Sequence, residues 1–439
     1  MAVSGSERGA SRDSRSTGTD GGARTGSASS GRPARTRGRN MNVGRYAETV
    51  RDRLRGAEGG PILVALGLVV IGAVFQALDN NFLSPRNLSN LSVDIVGTGV
   101  VAVGIVFVLL IGEIDLSVGS VSGLSGAAFA VLNVNLGVPE WLAVIVAVVS
   151  GMAVGAVHGA FFAWIGVPSF VVTLAGLLAW NGLTLYLLGA SGTINIDEEG
   201  LVASLTSNYF EDPAAAYGLA ALGTAGYLLF AAWSRSRRKA TGMPYRPLGE
   251  LWLRTGLLAA VTFAAAYTLN QFQGLPLALL IFLVVIVVSD YILRRTRYGR
   301  RVYALGGGVE AALRAGVGVI RVRIAMFMVS GTLAAIGGLF VASELTSASP
   351  TTARAAGSGM LLINAIAAAV IGGTSLFGGR GSTWSALLGV LVIQSIASGM
   401  ALLGVRDAVQ FIITGAVLLA AVAADALSRR SSAAARGRI

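Results

Sequence analysis

Two carboxylates stand in the stretch Ile111-Gly-Glu-Ile-Asp-Leu-Ser-Val-Gly-Ser120, between two long apolar runs. Hydrocarbon penalises a charge heavily, so an ionisable group at membrane depth marks a gate or a pathway by default. A plainer arrangement fits the same spacing. Asp115 can cap a helix that starts near Leu116 by accepting from the free N–H groups of its first turn, with both acids facing water. Glu113, Asp115 and the adjoining Ser117 are therefore candidates for gating or pathway lining, and equally for a capped cytoplasmic turn.

Few other side chains can do chemistry. His158 is the only histidine, Lys239 the only lysine, and cysteine is absent. That excludes a multi-histidine metal site, a thiolate nucleophile and a disulfide framework. A phosphate loop needs Gly-x-x-x-x-Gly-Lys followed by Ser or Thr. Lys239 lies between Arg238 and Ala240, so the glycine run 306–308 is not part of one, and the chain should not hydrolyse ATP by itself. His158 lies in an apolar run, where a packed or hydrogen-bonded residue and a proton relay are both open. Asn181, Asn364, Gln394 and Gln410 also lie in apolar runs, where they can line a path for a polar solute or join helices by hydrogen bonds. Trp164, Phe170, Trp180 and Tyr186 flank one run, placed to stack on a sugar ring or to sit at the membrane interface.

The elements that must hold these residues are membrane helices. Of 439 residues, 54% are hydrophobic and 13% charged, against about 25% charged in soluble domains. A spanning helix needs about 20 mostly apolar residues. Uncharged runs lie near 61–78, 95–112, 116–135, 140–164, 167–188, 214–233, 255–270, 275–289, 324–343, 359–377, 383–403 and 408–424. These predict an all-α polytopic membrane protein with about 12 transmembrane helices, or 10 if two runs are re-entrant or interfacial. The short pair between Thr255 and Ser289 is expected to extend beyond Arg254 and Asp290, with charged ends snorkelling. Glycines four apart, at 119 and 123 and at 151, 155 and 159, allow close helix packing.

The net charge of +12 lies between apolar runs, which is a topology signal rather than a nucleic-acid footprint. Arg235, Arg237, Arg238, Lys239, Arg246 and Arg254 mark one cytoplasmic loop, and the arginines from Arg294 to Arg323 a second. The segment 189–213 carries Asp197, Glu198, Glu199, Glu211 and Asp212 without Arg or Lys, and is placed outside. Twelve spans then put every strongly basic loop and both termini in the cytoplasm. Residues 1–58 are expected to be a disordered basic cytoplasmic tail with too little apolar surface to order, save a short amphipathic helix near Tyr46 to Arg55. No cleavable signal peptide is expected, because a long polar stretch precedes the first apolar run. Residues 59–427 form the transmembrane domain and 428–439 a second basic cytoplasmic tail.

The second basic loop has internal order. Tyr298 to Gly308 is expected to be flexible, and Glu310-Ala-Ala-Leu-Arg-Ala-Gly316 reads as one or two helical turns stopped by glycine. Such a helix suits docking into a partner's groove; a solvated loop that only enforces orientation is the alternative. Later in the chain, Ile371-Gly-Gly-Thr-Ser-Leu-Phe-Gly-Gly379 shares Ile, Gly, Leu and Gly with Ile111 to Gly119 at the same spacing. An internal duplication suits a transporter, and Thr374 and Ser375 within the echo join the gating candidates with Asn181 and Asn364.

These segments together resemble the permeases of ribose, galactose and xylose ABC importers. The likeness is carried by Ala102-Val-Gly-Ile-Val, Glu113 to Ser120, Val167-Pro-Ser-Phe-Val-Val-Thr-Leu-Ala-Gly176, Tyr298 to Gly307, Glu310 to Gly316 and Ala367 to Gly381, in family order over roughly residues 60–427. The added basic loop and helix around 214–270 make it most similar to the xylose-type permeases. The resemblance implies a permease subunit in the bacterial plasma (inner) membrane, acting as a dimer. It implies import of a monosaccharide, a pentose such as xylose, delivered by an extracytoplasmic binding protein. It implies a separate ATPase that holds ATP and magnesium, with no cofactor on this chain and no catalytic residue. Arg300, Gly307, Glu310, Ala311, Arg314 and Gly316 match the region that contacts that ATPase. The family's Glu-Leu-Asp-Ala-Ile-Ala is here Leu362-Ile-Asn-Ala-Ile-Ala367, without carboxylates. A proton- or sodium-coupled sugar symporter is the alternative, although it usually needs acids or bases deep in the helices. A membrane transferase would need an acid, histidine or metal cluster beyond Asp197 to Glu199.

Overall fold

Backbone in hydrocarbon must satisfy its own hydrogen bonds, so apolar runs of this length fold as helices. The computed structural model describes residues 59–189, 192–245, 247–349 and 360–436. The first tail, with the segment from Tyr46 to Arg55, and Arg246 lie outside the described residues. In chain order the helices are α1 (Gly59–Leu78), α2 (Pro85–Leu110), α3 (Val118–Ala130), α4 (Glu140–Ala160), α5 (Ser169–Leu188), the single turn α6 (Ser204–Ser207), α7 (Pro213–Ala240), α8 (Leu248–Asn270) and α9 (Leu277–Arg295). They continue with α10 (Arg297–Gly307), α11 (Val309–Arg314), α12 (Val319–Glu344), α13 (Met360–Ile371), α14 (Thr383–Leu402) and α15 (Asp407–Arg436). α3 and α4 each run on into a wider π turn, Val131–Asn135 and Phe161–Ile165.

Among the described residues, nine helices are long and apolar enough to cross a membrane, and three further apolar helices are shorter. These twelve fall on the twelve predicted runs, with shifts of boundary at several ends. α2 begins at Pro85, ahead of the run at 95, because Ser84 accepts from the Asn87 N–H and Pro85 opens the first turn. That extension brings Asp94 inside a span. α13 stops at Ile371, where Gly373 takes φ +104°; residues 372–377 are loop. Its 12 residues reach about 18 Å, short of the roughly 30 Å hydrocarbon core. α15 continues through Arg436, into the segment assigned to the second tail.

Two sets of connections define two ends of the bundle. At one end β1 (Ile194–Asn195) pairs antiparallel with β4 (Ser347–Ala348), and β2 (Tyr209–Phe210) with β3 (Leu275–Pro276). There Glu140 accepts from the Leu201 and Val202 N–H groups at 2.6 and 2.8 Å. This end carries the acids 197–199, 211 and 212. The other end gathers the loops after α2, α4, α9 and α13, with the arginines from Arg294 to Arg323.

The core lies around α2, flanked by α12, α14 and α13. α12 packs against the glycine ridge of α4: a side chain on Gly155 would meet the Phe327 carbonyl, and one on Gly159 the Ile324 backbone. The predicted spacing at 151, 155 and 159 thus serves close backbone approach.

Candidate functional site

The chain leaves α2 at Ile111 and turns at Gly112, whose φ of +81° suits glycine. The turn drops Asp115 into the bundle at 4% exposure. Its Oδ1 accepts from the Ser117 N–H at 3.0 Å and the Ser117 hydroxyl at 2.6 Å, and its Oδ2 accepts from Ser330 of α12 at 3.0 Å. Three donors replace the water that burial removes. The expectation of a water-facing acid is therefore corrected for Asp115. The capping role holds in part, since its carboxylate takes one N–H at the start of α3.

The hydrogen bonds continue outward from Ser117. Its Oγ lies 3.1 Å from His158 Nδ1 on α4, and Trp180 Nε1 on α5 lies 2.9 Å from His158 Nε2. Indole only donates, so Nε2 must accept. The imidazole is then neutral with its proton on Nδ1, which donates to Ser117, which donates to Asp115. The tautomer follows from this network. One directed chain, Trp180 to His158 to Ser117 to Asp115, joins α5, α4 and α3, and Ser330 closes it onto α12. It makes His158 a hydrogen-bonded residue and removes Trp180 from the set of free aromatic rings. Trp164, Phe170 and Tyr186 remain exposed, as interfacial rings do.

Glu113 makes a second junction at the same turn. Ser169, in the first turn of α5, donates to its Oε2 at 2.7 Å, and Arg323 of α12 lies 3.6 Å from Oε1. The Arg323 guanidinium stacks 4.4 Å from the Phe162 ring centre. Burial pushes the Glu113 carboxyl above the ordinary carboxylate range, against the opposing pull of Ser169 and Arg323. The turn 111–117 therefore touches α4, α5 and α12, mainly through side chains, with the Ile114 carbonyl also accepting from Thr173 of α5 at 3.5 Å.

Beside it stands the second basic loop. Residues 297–307, expected to be flexible, form α10: Thr296 accepts from the Gly299 N–H at 3.1 Å and caps it. α11 ends as predicted at glycine. The Gly316 N–H donates to Leu313 O and the Val317 N–H to Ala312 O, with Gly316 at φ +75°, which closes the helix in a Schellman motif. Arg300, Gly307, Glu310, Ala311, Arg314 and Gly316 are all exposed. Glu310 and Arg314 pair at 3.2 Å in open solvent. Val309, Leu313 and Ile320 expose 38%, 56% and 45% of their surface beside them.

The inner side of α10 is wedged between the two echoing stretches. The Gly379 N–H donates to Leu110 O at 2.9 Å, and a side chain on Gly306 would meet both groups. Tyr303 donates to Gly381 O at 2.9 Å. Thr374 and Ser375 are buried. Ser375 Oγ accepts from the Phe377 N–H at 3.1 Å and so serves its own turn, while Thr374 Oγ1 has no partner among the described residues. Asn364 on α13 has a buried Oδ1 with no partner among the described residues and makes no bond to the Asp115 chain. Asn181 on α5 is half-buried and takes no part in that chain. Gln410 donates to Val405 O at 3.3 Å, a local bond.

Sequence reasoning missed Ser169, Arg323 and Ser330 as partners, because nothing local marks a serine 215 positions from Asp115 as its donor. It also missed Asp94, a second ionisable group within a span, which faces Gln394 of α14. The Ser84-Pro85 start signal could have found it.

Known proteins supply the remaining comparison. A family profile described as "Branched-chain amino acid transport system / permease component" matches residues 87–422. The xylose transport system permease protein XylH of Escherichia coli is 36% identical over 374 residues, covering 84% of this chain and 92% of the relative. Its counterpart in Haemophilus influenzae is 35% identical, over 84% of this chain and 96% of the relative. The ribose import permease protein RbsC of Bacillus subtilis is 32% identical, over 82% and 91%. No solved structure gave a significant match. The chain belongs to this family of transport-system permease components, in the company of the xylose and ribose permeases.

Proposed function

We propose that this chain is the membrane-spanning permease subunit of an ATP-driven importer that carries a monosaccharide, a pentose such as xylose, across the bacterial inner membrane. The observation that carries the reading is α11, a six-residue helix with exposed Glu310, Ala311, Leu313 and Arg314, set on a base wired into the bundle. A separate ATPase holding ATP and magnesium docks there, and an extracytoplasmic binding protein delivers sugar at the acidic end. The permease acts as a homodimer and contributes no catalytic residue.

The geometry suggests how force travels. α11 is closed by the Schellman turn and leads within five residues into α12. Arg323 sits in the second turn of α12, against Glu113. Displacing α11 therefore loads the ion pair to Glu113 and, through Ser330, the bond to Asp115. Alternating access needs an element with two arrangements that ligands bias differently. The turn 111–117 is placed to be that element, because it binds α4, α5 and α12 without belonging to any of them.

The test is sugar-stimulated ATP hydrolysis in proteoliposomes holding this chain, its ATPase and its binding protein, with xylose, ribose and galactose compared. Stimulation that needs all three proteins is expected, and Glu310→Arg should abolish it and ATPase association while insertion stays normal. Uptake by this chain alone, driven by a proton or sodium gradient, would replace the reading with a symporter.

A further inference from the structure

α7 and α8 stand apart from the bundle. Only 11% of the most apolar 18-residue window of each is buried inside the protein, against 89% for α2. Leu222 and Leu229 on α7, and Leu257 and Val261 on α8, are all more than half exposed. This carbon surface lies at hydrocarbon depth, where acyl chains cover it.

At the basic end the surface changes character. α7 closes with Arg235, Arg237, Arg238 and Lys239, α8 carries Arg254, and α9 closes with Arg294 and Arg295. Aromatic rings interleave with them. The Arg237 guanidinium lies 4.6 Å from the Trp233 ring centre, Arg235 lies 5.1 Å from Tyr245, and Arg295 lies 4.1 Å from Phe230. The last contact ties the end of α9 to α7. Arg254 pairs with Glu250 at 2.8 Å and Arg294 with Asp290 at 2.7 Å, each within its own helix. Arg237, Arg238 and Lys239 are exposed and have no carboxylate partner among the described residues.

The terminal dipole of α7 accommodates part of that charge, but three adjacent cations still repel one another without a counter-charge. Their place is informative. They stand where the apolar surface ends, beside exposed Trp233 and Trp252, and tryptophan prefers headgroup depth. A phosphodiester offers arginine a matched pair of acceptor oxygens, and its acyl chains would follow the exposed leucines. A soluble anion lacks those chains, and a second copy would bring the same cations.

We propose that the basic end of α7, α8 and α9 is a binding surface for anionic phospholipid, with the headgroup held by Arg237, Arg238 and Lys239. The bound lipid fixes the hairpin against the bundle, to which its own side chains attach it weakly. This inference does not depend on the transported solute or on the ATPase.

The test uses the full chain in neutral detergent, with thermal unfolding and native mass spectrometry during titration with phosphatidylglycerol, phosphatidylcholine or inorganic phosphate. Phosphatidylglycerol should bind and raise the unfolding temperature, and the other two should not. The triple variant Arg237→Gln, Arg238→Gln, Lys239→Gln should bind phosphatidylglycerol at least about tenfold more weakly, while Arg237→Lys with Arg238→Lys should retain most of the affinity. Equal response to phosphatidylcholine or phosphate, or an unchanged triple variant, would overturn the proposal. So would loss of a dimer in the triple variant with lipid retention intact, which would assign the face to a second copy. If the triple variant does not fold, the unsubstituted protein decides: high salt should weaken the phosphatidylglycerol effect, and a salt-independent effect would overturn the proposal.

Discussion

The turns at 111–117 and 372–382 share a sequence pattern and differ in what their side chains do. Each follows an apolar helix that closes at or just before an isoleucine, and each uses a glycine at positive φ, Gly112 at +81° and Gly373 at +104°. They meet directly, the Gly379 N–H on Leu110 O. In the first turn Asp115 gathers donors from α3 and α12 and is linked through Ser117 to α4 and α5. In the second, Ser375 closes its own turn. The shared residues shape backbone, and the acids convert one of two similar turns into a junction between helices.

That contrast can be broken most severely at the wedge common to both turns. Gly306→Val places a side chain where Leu110 O and the Gly379 N–H meet. It is expected to reduce reconstituted uptake to background with the protein still inserted; uptake within twofold of normal would show that the two turns move independently. Asp115→Ala comes next. It leaves the Ser117 and Ser330 hydroxyls buried without their acceptor, at about 2–4 kcal/mol, and should lower the unfolding temperature by several degrees and uptake at least about tenfold. Ser375→Ala should cost about 1 kcal/mol and leave uptake nearly intact. A loss as large as that of Asp115→Ala would erase the distinction between the turns.

The smallest effect concerns Glu113. Its carboxyl is raised in the folded chain, so its stabilising contribution is full below the unfolded pKa and is lost as pH rises through the folded value. Glu113→Gln removes this titration. Unfolding temperatures of the two proteins, compared across the range just above the ordinary carboxylate pKa, should show the native protein losing ground slightly as pH rises. The opposite slope would mean that Arg323, 3.6 Å away and partly exposed, dominates burial.

Much of the architecture was legible from composition along the chain. All twelve apolar runs coincide with helices, because the lack of water forces hydrogen bonds within each segment. α11 and its glycine stop were legible from local signals of another kind, a short helical pattern closed by Gly316 in the left-handed conformation. Boundaries failed where charges interrupt a span: Arg86 and Asp94 hid the first turns of α2. α10 was missed because Tyr298-Gly-Arg-Arg has neither length nor apolar period, and its helix rests on the Thr296 cap, the packing of Gly299 on α9 and the burial of Val302 and Leu305. Of the candidate gating residues, Glu113, Asp115 and Ser117 fall in one junction, whereas Asn181, Asn364, Thr374 and Ser375 do not join it.

By itself the sequence determined that this is a polytopic membrane protein of the permease-component family, with its basic and acidic loops sorted into two groups. Those properties are sums over neighbouring residues, and neighbours are what a chain lists. Tertiary structure decided that Asp115 is buried and bonded, that His158 is neutral between Trp180 and Ser117, and that the two echoing turns touch. Each depends on groups brought together from distant positions, Asp115 with Ser330 and Leu110 with Gly379. The packing of α2 and α3 on α12 brings the first pair within hydrogen-bond reach, and the packing of α13 on α2 brings the second.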